Sequence, residues 1–439
     1  MSFFLEMLSL IFFTFTWLKT RPRVNDAGVN LMDVFSVGLL LVVAPYSLID
    51  PVGKTLYGEL ESFAVASIDA QKILAITFFV GGSVLWINSW MSVTKTTSLI
   101  DLPPKIESKI SWFAAGCSIF LLFVLLLQEE FLYFRLVTFK FLMGKLTDIE
   151  YSVLRNKILT GTWLLDEVLG RIRFAILPIL FCLIITPVLK AGKVLMAGVL
   201  ALLFFITIPL SLAKLPYFYY AGYLVVAWIL VSSHKLSYKQ LITFWVVIAS
   251  AGFCVLVFLY IMQEGWGLNG WRSLLRPVIQ RIWGEPYAAI LKYSATYPDL
   301  LSFTGVSGIG TIAKILELKP RIPDLEVLQA LYGRNNYGSN PGYFVLGGYA
   351  AWGGLGVAGF SFFGFLYVCF LDRVFEVLRV ILIRQVFKTI LILNVLFLLQ
   401  VSLQTTLITY GLFVIPCILF LLDLYLSWLI RFLSGNKKD

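Results

Sequence analysis

The run FAILPILFCLIITPVLKAGKVLMAGVLALLFFITIPLSLAKLPYFYYAGYLVVAWILV, from Phe174 to Val231, has Lys190, Lys193 and Lys214 as its only charged residues. These lysines divide it into three apolar stretches, each close to the ~20 residues with which an α-helix crosses the hydrocarbon core of a bilayer. One continuous segment therefore encodes three spans and the short connections between them. Working outward, the same pattern fills the chain. Candidate spans fall at Phe3–Leu18, Val34–Ile49, Ile73–Met91, Ile110–Gln128, Phe174–Leu189, Val194–Leu212, Tyr217–Val231, Leu241–Met262, Tyr343–Leu371, Val386–Ser402 and Ile408–Ile430. The expectation is an all-α polytopic membrane protein of about eleven transmembrane helices, residues 1–439 forming one integral membrane domain.

Composition excludes a soluble domain. Only 14% of the 439 residues are charged, against about a quarter in ordinary globular chains, so the excess Leu, Phe and Val must face lipid. The net charge of +10 does not imply nucleic acid, because Lys and Arg in such a chain report first on orientation. Cys117, Cys182, Cys254, Cys369 and Cys417 all sit inside apolar runs, which gives neither a disulfide framework nor zinc spacing. The first run, Ser2 to Leu18, has no basic residues before it and no small-residue cleavage site, and reads as a retained helix.

Charge sets the expected sidedness. With Lys19, Arg21 and Arg23 in the cytoplasm, alternate connections on that side also hold Lys95, Lys105, Lys109, Lys190, Lys193, Lys235 and Lys239. The same side takes Arg373, Arg379, Arg384, Lys388, Arg431, Lys437 and Lys438, whereas the short outer connections hold only Lys54, Lys72 and Lys214. The positive-inside rule then places the N-terminus outside and the C-terminus in the cytoplasm.

Two long outer loops remain. Residues 129–173 read as a basic amphipathic helix in which Phe131, Phe134 and Phe139 interleave with Arg135 and Lys140, suited to the membrane surface. Residues 263–341 carry helical runs at Trp271–Trp283 and Asp324–Leu331 around a stretch with Gly305, Gly308 and Gly310. Cations gather at the helix ends here: Arg171, Arg173, Lys214, Arg272, Arg276 and Arg281. Arg presents a planar fork to phosphate oxygens and Lys a point charge, so the set suits an anionic, lipid-attached ligand. For any one of them, snorkelling to head groups is the plainer account. Lys214 is the sharpest candidate, since it stands alone between two apolar helices and wants an anion.

The stretch KPRIPDLEVLQALYGRNNYGSNPGYFVLGGYAAWGG, Lys319 to Gly354, joins Arg321 and Arg334 to Asn335, Asn336, Tyr337, Ser339 and Asn340 and then opens a glycine-rich helix at Pro341. Tyrosine rings stack on sugar faces while amides bond hydroxyls, which makes Tyr337 and Asn340 candidate sugar-binding residues. The glycines Gly342, Gly347, Gly348, Gly353, Gly354 and Gly356 are best read as close-packing positions between helices.

In layout the chain resembles the Wzy-type polymerases of bacterial O-antigen and other polysaccharide repeat units, including enterobacterial common antigen polymerases, and more distantly the O-antigen ligases. The resemblance rests on the many spans with an outer N-terminus, RIRFAILPILF at Arg171, LAKLPYF around Lys214, RPVIQRIWGEPYAAIL from Arg276, and NPGYFVLGGYAAWGGLG from Asn340. It implies a GT-C-like fold and a glycosyltransferase of the bacterial inner membrane. Such an enzyme, working at the periplasmic face in lipopolysaccharide or related polysaccharide biosynthesis, transfers a growing glycan from undecaprenyl diphosphate to a new lipid-linked repeat unit. Arg171, Arg173, Lys214, Arg276, Arg281 and Arg334 would hold the leaving diphosphate, in a reaction with inversion. A chain-length regulator is the implied protein partner, beside the lipid-linked donor and acceptor and the membrane lipids.

One departure is plain. The ligases carry a histidine where this chain has Ser339, Asn340 and Pro341, and the only histidine, His234, falls in an expected cytoplasmic loop. A base for the sugar hydroxyl would then be a carboxylate, with Glu129 or Glu130, Asp166 or Glu167, and Asp299 as outer candidates, Glu130 and Asp299 foremost, or there is no dedicated base. Glu167 also stands four residues before Arg171, a pairing distance on a helix. Three rival readings stay open. Asp50, Glu59 and Glu61 would suit a metal-dependent GT-C transferase. A lipid-linked oligosaccharide flippase or other transporter would show more ionisable residues at mid-membrane. The last is a structural partner in an envelope assembly. No phosphate-binding glycine loop or paired-histidine metal motif is present, and no cofactor is expected.

Overall fold

The computed structural model describes residues 2–20, 30–45, 62–90, 98–126, 172–207, 215–233, 285–309, 312–313, 316–333, 343–399, 401, 403–408 and 411–435. Helices account for nearly all of this. In chain order they are α1 (Ser2–Thr20), α2 (Leu31–Gly38, continued by a π-helical turn at Leu39–Val43), α3 (Ser62–Trp90) and α4 (Pro104–Leu126). Then come α5 (Leu177–Lys190), α6 (Val194–Thr207), α7 (Leu215–Ser233) and α8 (Glu285–Thr296). The last are α9 (Pro323–Tyr332), α10 (Leu346–Val377), α11 (Ile381–Phe397), α12 (Leu403–Ile408) and α13 (Val414–Gly435).

Five of the described helices are long and apolar enough to cross a membrane, within Ser2–Thr20, Ser67–Trp90, Pro104–Phe123, Leu346–Val377 and Val414–Phe432. Shorter apolar helices lie at Leu31–Val43, Phe174–Lys190 and Gly222–Val231. Large apolar side chains such as Trp112, Phe113, Leu195 and Leu355 are exposed, as expected where lipid rather than water is the solvent. Among the described residues there is no strand, only an isolated bridge between Ile100 and Val380. This is an all-α membrane protein. Leu241–Met262, an expected span, lies outside the described residues.

Local chemistry sets the helix ends. Pro104 and Pro323 open α4 and α9, where a missing N–H costs nothing. Gly333, at φ 61°, closes α9 by donating to the Gln329 carbonyl. Before Pro178, whose ring cannot donate to the helix ladder, the chain winds as a π-turn over Ile172–Ile176.

One end of the bundle is tied by polar contacts between helix termini. Lys190 of α5 bonds Glu107 of α4 at 2.8 Å, and Trp17 Nε1 donates to Asp33 at 2.8 Å. Arg373 reaches Asn88 at 2.7 Å. The Asp372 carboxylate accepts the backbone N–H groups of Leu31 and Met32, and Asp423 accepts those of Arg379 and Val380. The described helix ends that border the expected cytoplasmic connections at 19–23, 95–109, 190–193 and 373–384 thus lie at a single end. At the opposite end Ser2 bonds Gln71 at 2.7 Å, and Tyr349 donates to the Tyr297 carbonyl at 3.0 Å. Between the two ends, Phe13, Phe78, Phe35, Phe344 and Phe365 interlock α1, α2, α3 and α10 by edge and tilted ring contacts.

The expected span Tyr343–Leu371 is not one straight helix. At Trp352 (φ −141°, ψ 21°) and Gly353 (φ 59°, ψ −137°) the backbone leaves helical geometry and reverses. Residues 346–351 fold back along the helix that follows: Phe344 packs on Gly364, Phe360 on Gly348, and the backbones of Gly348 and Gly356 touch. Only glycine adopts the Gly353 conformation without strain. The close-packing role expected for Gly348 and Gly356 is met, but within one helical hairpin. A second difference is at Ile408–Ile430, where α13 starts only at Val414 after the separate short α12 and Gly411 at φ 71°.

A Cβ on Gly356 would overlap the Gly348 carbonyl, whereas one on Gly359 meets nothing within 4 Å. Gly356→Ala should therefore abolish the monodisperse folded peak in detergent size-exclusion chromatography, while Gly359→Ala should leave it unchanged; equal behaviour of the two would contradict the reversal.

Candidate functional site

α8 falls in the region expected to be an outer loop, yet it is packed into the body. Tyr287, Ile290, Leu291 and Tyr293 are buried in the main core, and the helix lies against α3. It ends at Tyr297, whose peptide bond to Pro298 is cis, and the chain emerges at the exposed Asp299. Thr304 N–H then donates to the Ala350 carbonyl at 2.8 Å. The Phe303 ring stacks on Tyr297 at 6.3 Å, meets Tyr349 edge-on at 6.1 Å and covers Gly353. The reversal in α10 and the end of α8 thus form one aromatic junction beside Asp299. Nearby, Asp69 is paired to Lys72 at 2.7 Å.

A clasp holds α9 to α8. Tyr293 OH donates to Asp324, and Tyr297 OH donates to Glu326 at 2.9 Å. Arg321 grips the same Glu326 with both edges of its fork, Nε at 2.6 Å and Nη2 at 2.8 Å. At its partial exposure this pair contributes about 1 kcal/mol. Arg321 is therefore committed to Glu326, and the bond raises its pKa. Burial is the first cause that pushes the Tyr293 and Tyr297 phenols up, with their carboxylate partners adding to it. Burial also raises the Asp324 carboxyl, opposed by the hydrogen bond from Tyr293. The helical run expected at Asp324–Leu331 is α9.

Of the candidate residues, Asp299 is exposed at this junction, and Arg173 belongs to the π-turn that opens α5. Glu130, Arg171, Lys214, Arg276, Arg281, Arg334, Tyr337 and Asn340 lie outside the described residues, as do Glu129, Asp166, Glu167, Asp50, Glu59, Glu61 and His234. The helix ends that flank several of them are described. Ser111 bonds the Leu183 carbonyl and Glu107 bonds Lys190, so α4 and α5 run antiparallel. Leu126 and Ile172, on either side of residues 127–171, therefore emerge at the end opposite Lys190. Phe181 meets Phe204 at 5.0 Å and Tyr220 at 5.1 Å, which brings the close of α6 and the start of α7, flanking 208–214, to that same end. Among the described residues no group of three or more His, Cys, Asp or Glu side chains gathers as a metal site would require.

Tyr293, Tyr297, Phe303, Glu326 and Tyr349 were not singled out by sequence reasoning. The one available signal was the i, i+4 spacing of Tyr293 and Tyr297 on a short helix. No protein-family model, curated protein or solved structure matches the chain.

The raised carboxyl of Asp324 gives a signed pH dependence. Between the ordinary carboxylate range and its raised value, the folded chain holds a proton that the unfolded chain has lost, so stability falls as pH rises through that window. Thermal unfolding in detergent should show this slope, Asp324→Asn should flatten it, and Tyr293→Phe should extend it to higher pH. A slope that survives Asp324→Asn would refute the assignment.

Proposed function

We propose that the protein is a GT-C-like glycosyltransferase of a bacterial inner membrane. It moves a growing glycan from undecaprenyl diphosphate onto a new lipid-linked repeat unit at the periplasmic face, without a metal. The observation that carries the reading is the sorting of charge along the bundle. The described helix ends that flank expected cytoplasmic connections, near Trp17, Asn88, Lys190 and Arg373, lie at one end, while the helix ends that flank residues 127–171 and 208–214 lie at the opposite end. Orientation by the positive-inside rule then turns those segments outward, and the expectation of about eleven spans follows from the apolar runs.

In this reaction an acceptor sugar hydroxyl attacks the anomeric carbon of the donor glycan. The bond from that carbon to the phosphate oxygen breaks, and the electron pair leaves on the diphosphate. Arg171, Arg173, Lys214, Arg276, Arg281 and Arg334 stabilise the charge that develops on the leaving group. Asp299, exposed beside Tyr349, or Glu130 takes the hydroxyl proton, and Tyr337 and Asn340 hold the sugars. A chain-length regulator would act on the emerging polymer.

Transport of the same lipid-linked glycan is the second reading. It draws on the burial of Glu6 and Lys388 within apolar helices.

Purified protein incubated with an undecaprenyl-diphosphate oligosaccharide in detergent should yield a ladder of longer glycans, unaffected by chelator. Lys214→Gln and Arg281→Gln should lower the rate by about 10²–10³-fold each, the scale expected when a transition-state charge partner is removed. Absence of any lengthening by well-folded protein would favour transport, and full activity of both variants would remove the diphosphate role.

A further inference from the structure

The segment between α8 and α9, together with the first turn of α9, exposes an unusual run of aliphatic side chains. Leu300, Ile312, Leu316, Leu318, Ile322 and Leu325 are all solvent-accessible, Leu300 and Leu316 at more than half of their surface (56% and 55%). None belongs to a helix long enough to span a bilayer. Its described residues are nevertheless tied together by backbone hydrogen bonds. Arg321 N–H bonds the Ser307 carbonyl, Leu318 N–H bonds Ala313, and Leu316 N–H bonds Ile312, which sets Ile312 and Leu316 on one face of a single turn. Thr304 and Phe303 tie it to the reversal in α10.

We infer that this segment lies in the bilayer interface, its aliphatic residues inserted at the boundary between head groups and acyl chains. The occupant of the apolar surface is lipid because the surface continues one that already faces lipid. Across the reversal stand the exposed Trp352 and Leu355, followed along α10 by the exposed Phe362, Phe363 and Phe370. Trp352 marks the junction with an indole, a ring enriched at the level of the head groups. Lys319, exposed between Leu318 and Ile322, has a side chain long enough to keep its ammonium in the head-group layer while its stem crosses apolar surface. Folded proteins rarely leave contiguous apolar surface of this kind in water.

The consequence goes beyond the proposed chemistry and does not depend on it. Asp299 and the clasp that holds α9 sit at head-group level, so the junction beside them opens to ligands arriving along the membrane surface. The test uses nitroxide labels at Leu316→Cys and Ile322→Cys in protein lacking its native cysteines, reconstituted in phosphatidylcholine nanodiscs. Circular dichroism verifies the helix content of each variant. A label at Phe363→Cys calibrates lipid exposure and one at the exposed Asp101→Cys, before α4, calibrates water. Labels at 316 and 322 should collide several-fold more with oxygen than with a water-soluble nickel complex, as at 363. Ratios equal to that at 101 would overturn the inference, and protection from both reagents would assign the surface to protein contact and overturn it equally.

Discussion

Inside a bilayer a backbone N–H has no water to bond, so every interruption of a helix must supply its own partner. This chain interrupts its helices repeatedly, and at several described breaks distant parts of the chain take up the freed groups. At the head of α11 the Asp423 carboxylate accepts the N–H groups of Arg379 and Val380, and at the head of α2 Asp372 does the same for Leu31 and Met32. Past the end of α11, Phe344 donates to the Leu398 carbonyl and accepts from Leu403. These bonds reach across tens or hundreds of residues of sequence. They fix where the chain can turn, and therefore which loops share an end of the bundle.

Sharing an end is what gives the segments opposite the Lys190 end chemical meaning. α10 reverses at Trp352–Gly353 and meets the end of α8, so an exposed carboxylate, Asp299, stands beside a packed group of aromatic rings. The Tyr293 and Tyr297 phenols then anchor α9 through Asp324 and Glu326. The polar run Arg334–Asn340 follows α9 directly in the chain, so the clasp fixes the point from which that run starts.

The apolar spans were legible because lipid demands long stretches without charge, and the helices at Ser2–Thr20, Pro104–Leu126 and Leu215–Ser233 begin and end near the expected limits. The reversal in α10 was not. A run such as GGYAAWGG satisfies close helix packing and a turn equally well, and only the contact of Gly348 with Gly356 decides between them. The start of α8 falls in the expected helix RPVIQRIWGEPYAAIL, but its packing into the body was not legible, because it is short and tyrosine-rich rather than aliphatic. Its burial comes from tertiary partners that no local pattern encodes. At the site, Arg321 looked available from its neighbours in sequence, yet Glu326, five residues on, holds both edges of its fork. Asp299 is the one proposed catalytic carboxylate that the described residues include, and it is accessible as that role requires.

The account stands on the cation-bearing segments facing the opposite side of the membrane from the Lys190 end. Sidedness is measured directly by a membrane-impermeant maleimide applied to spheroplasts expressing single-cysteine variants. Lys214→Cys and Arg281→Cys should react from outside, while Lys190→Cys should react only after the membrane is opened. Labelling of Lys190→Cys from outside, or protection of Lys214→Cys and Arg281→Cys until permeabilisation, would contradict it.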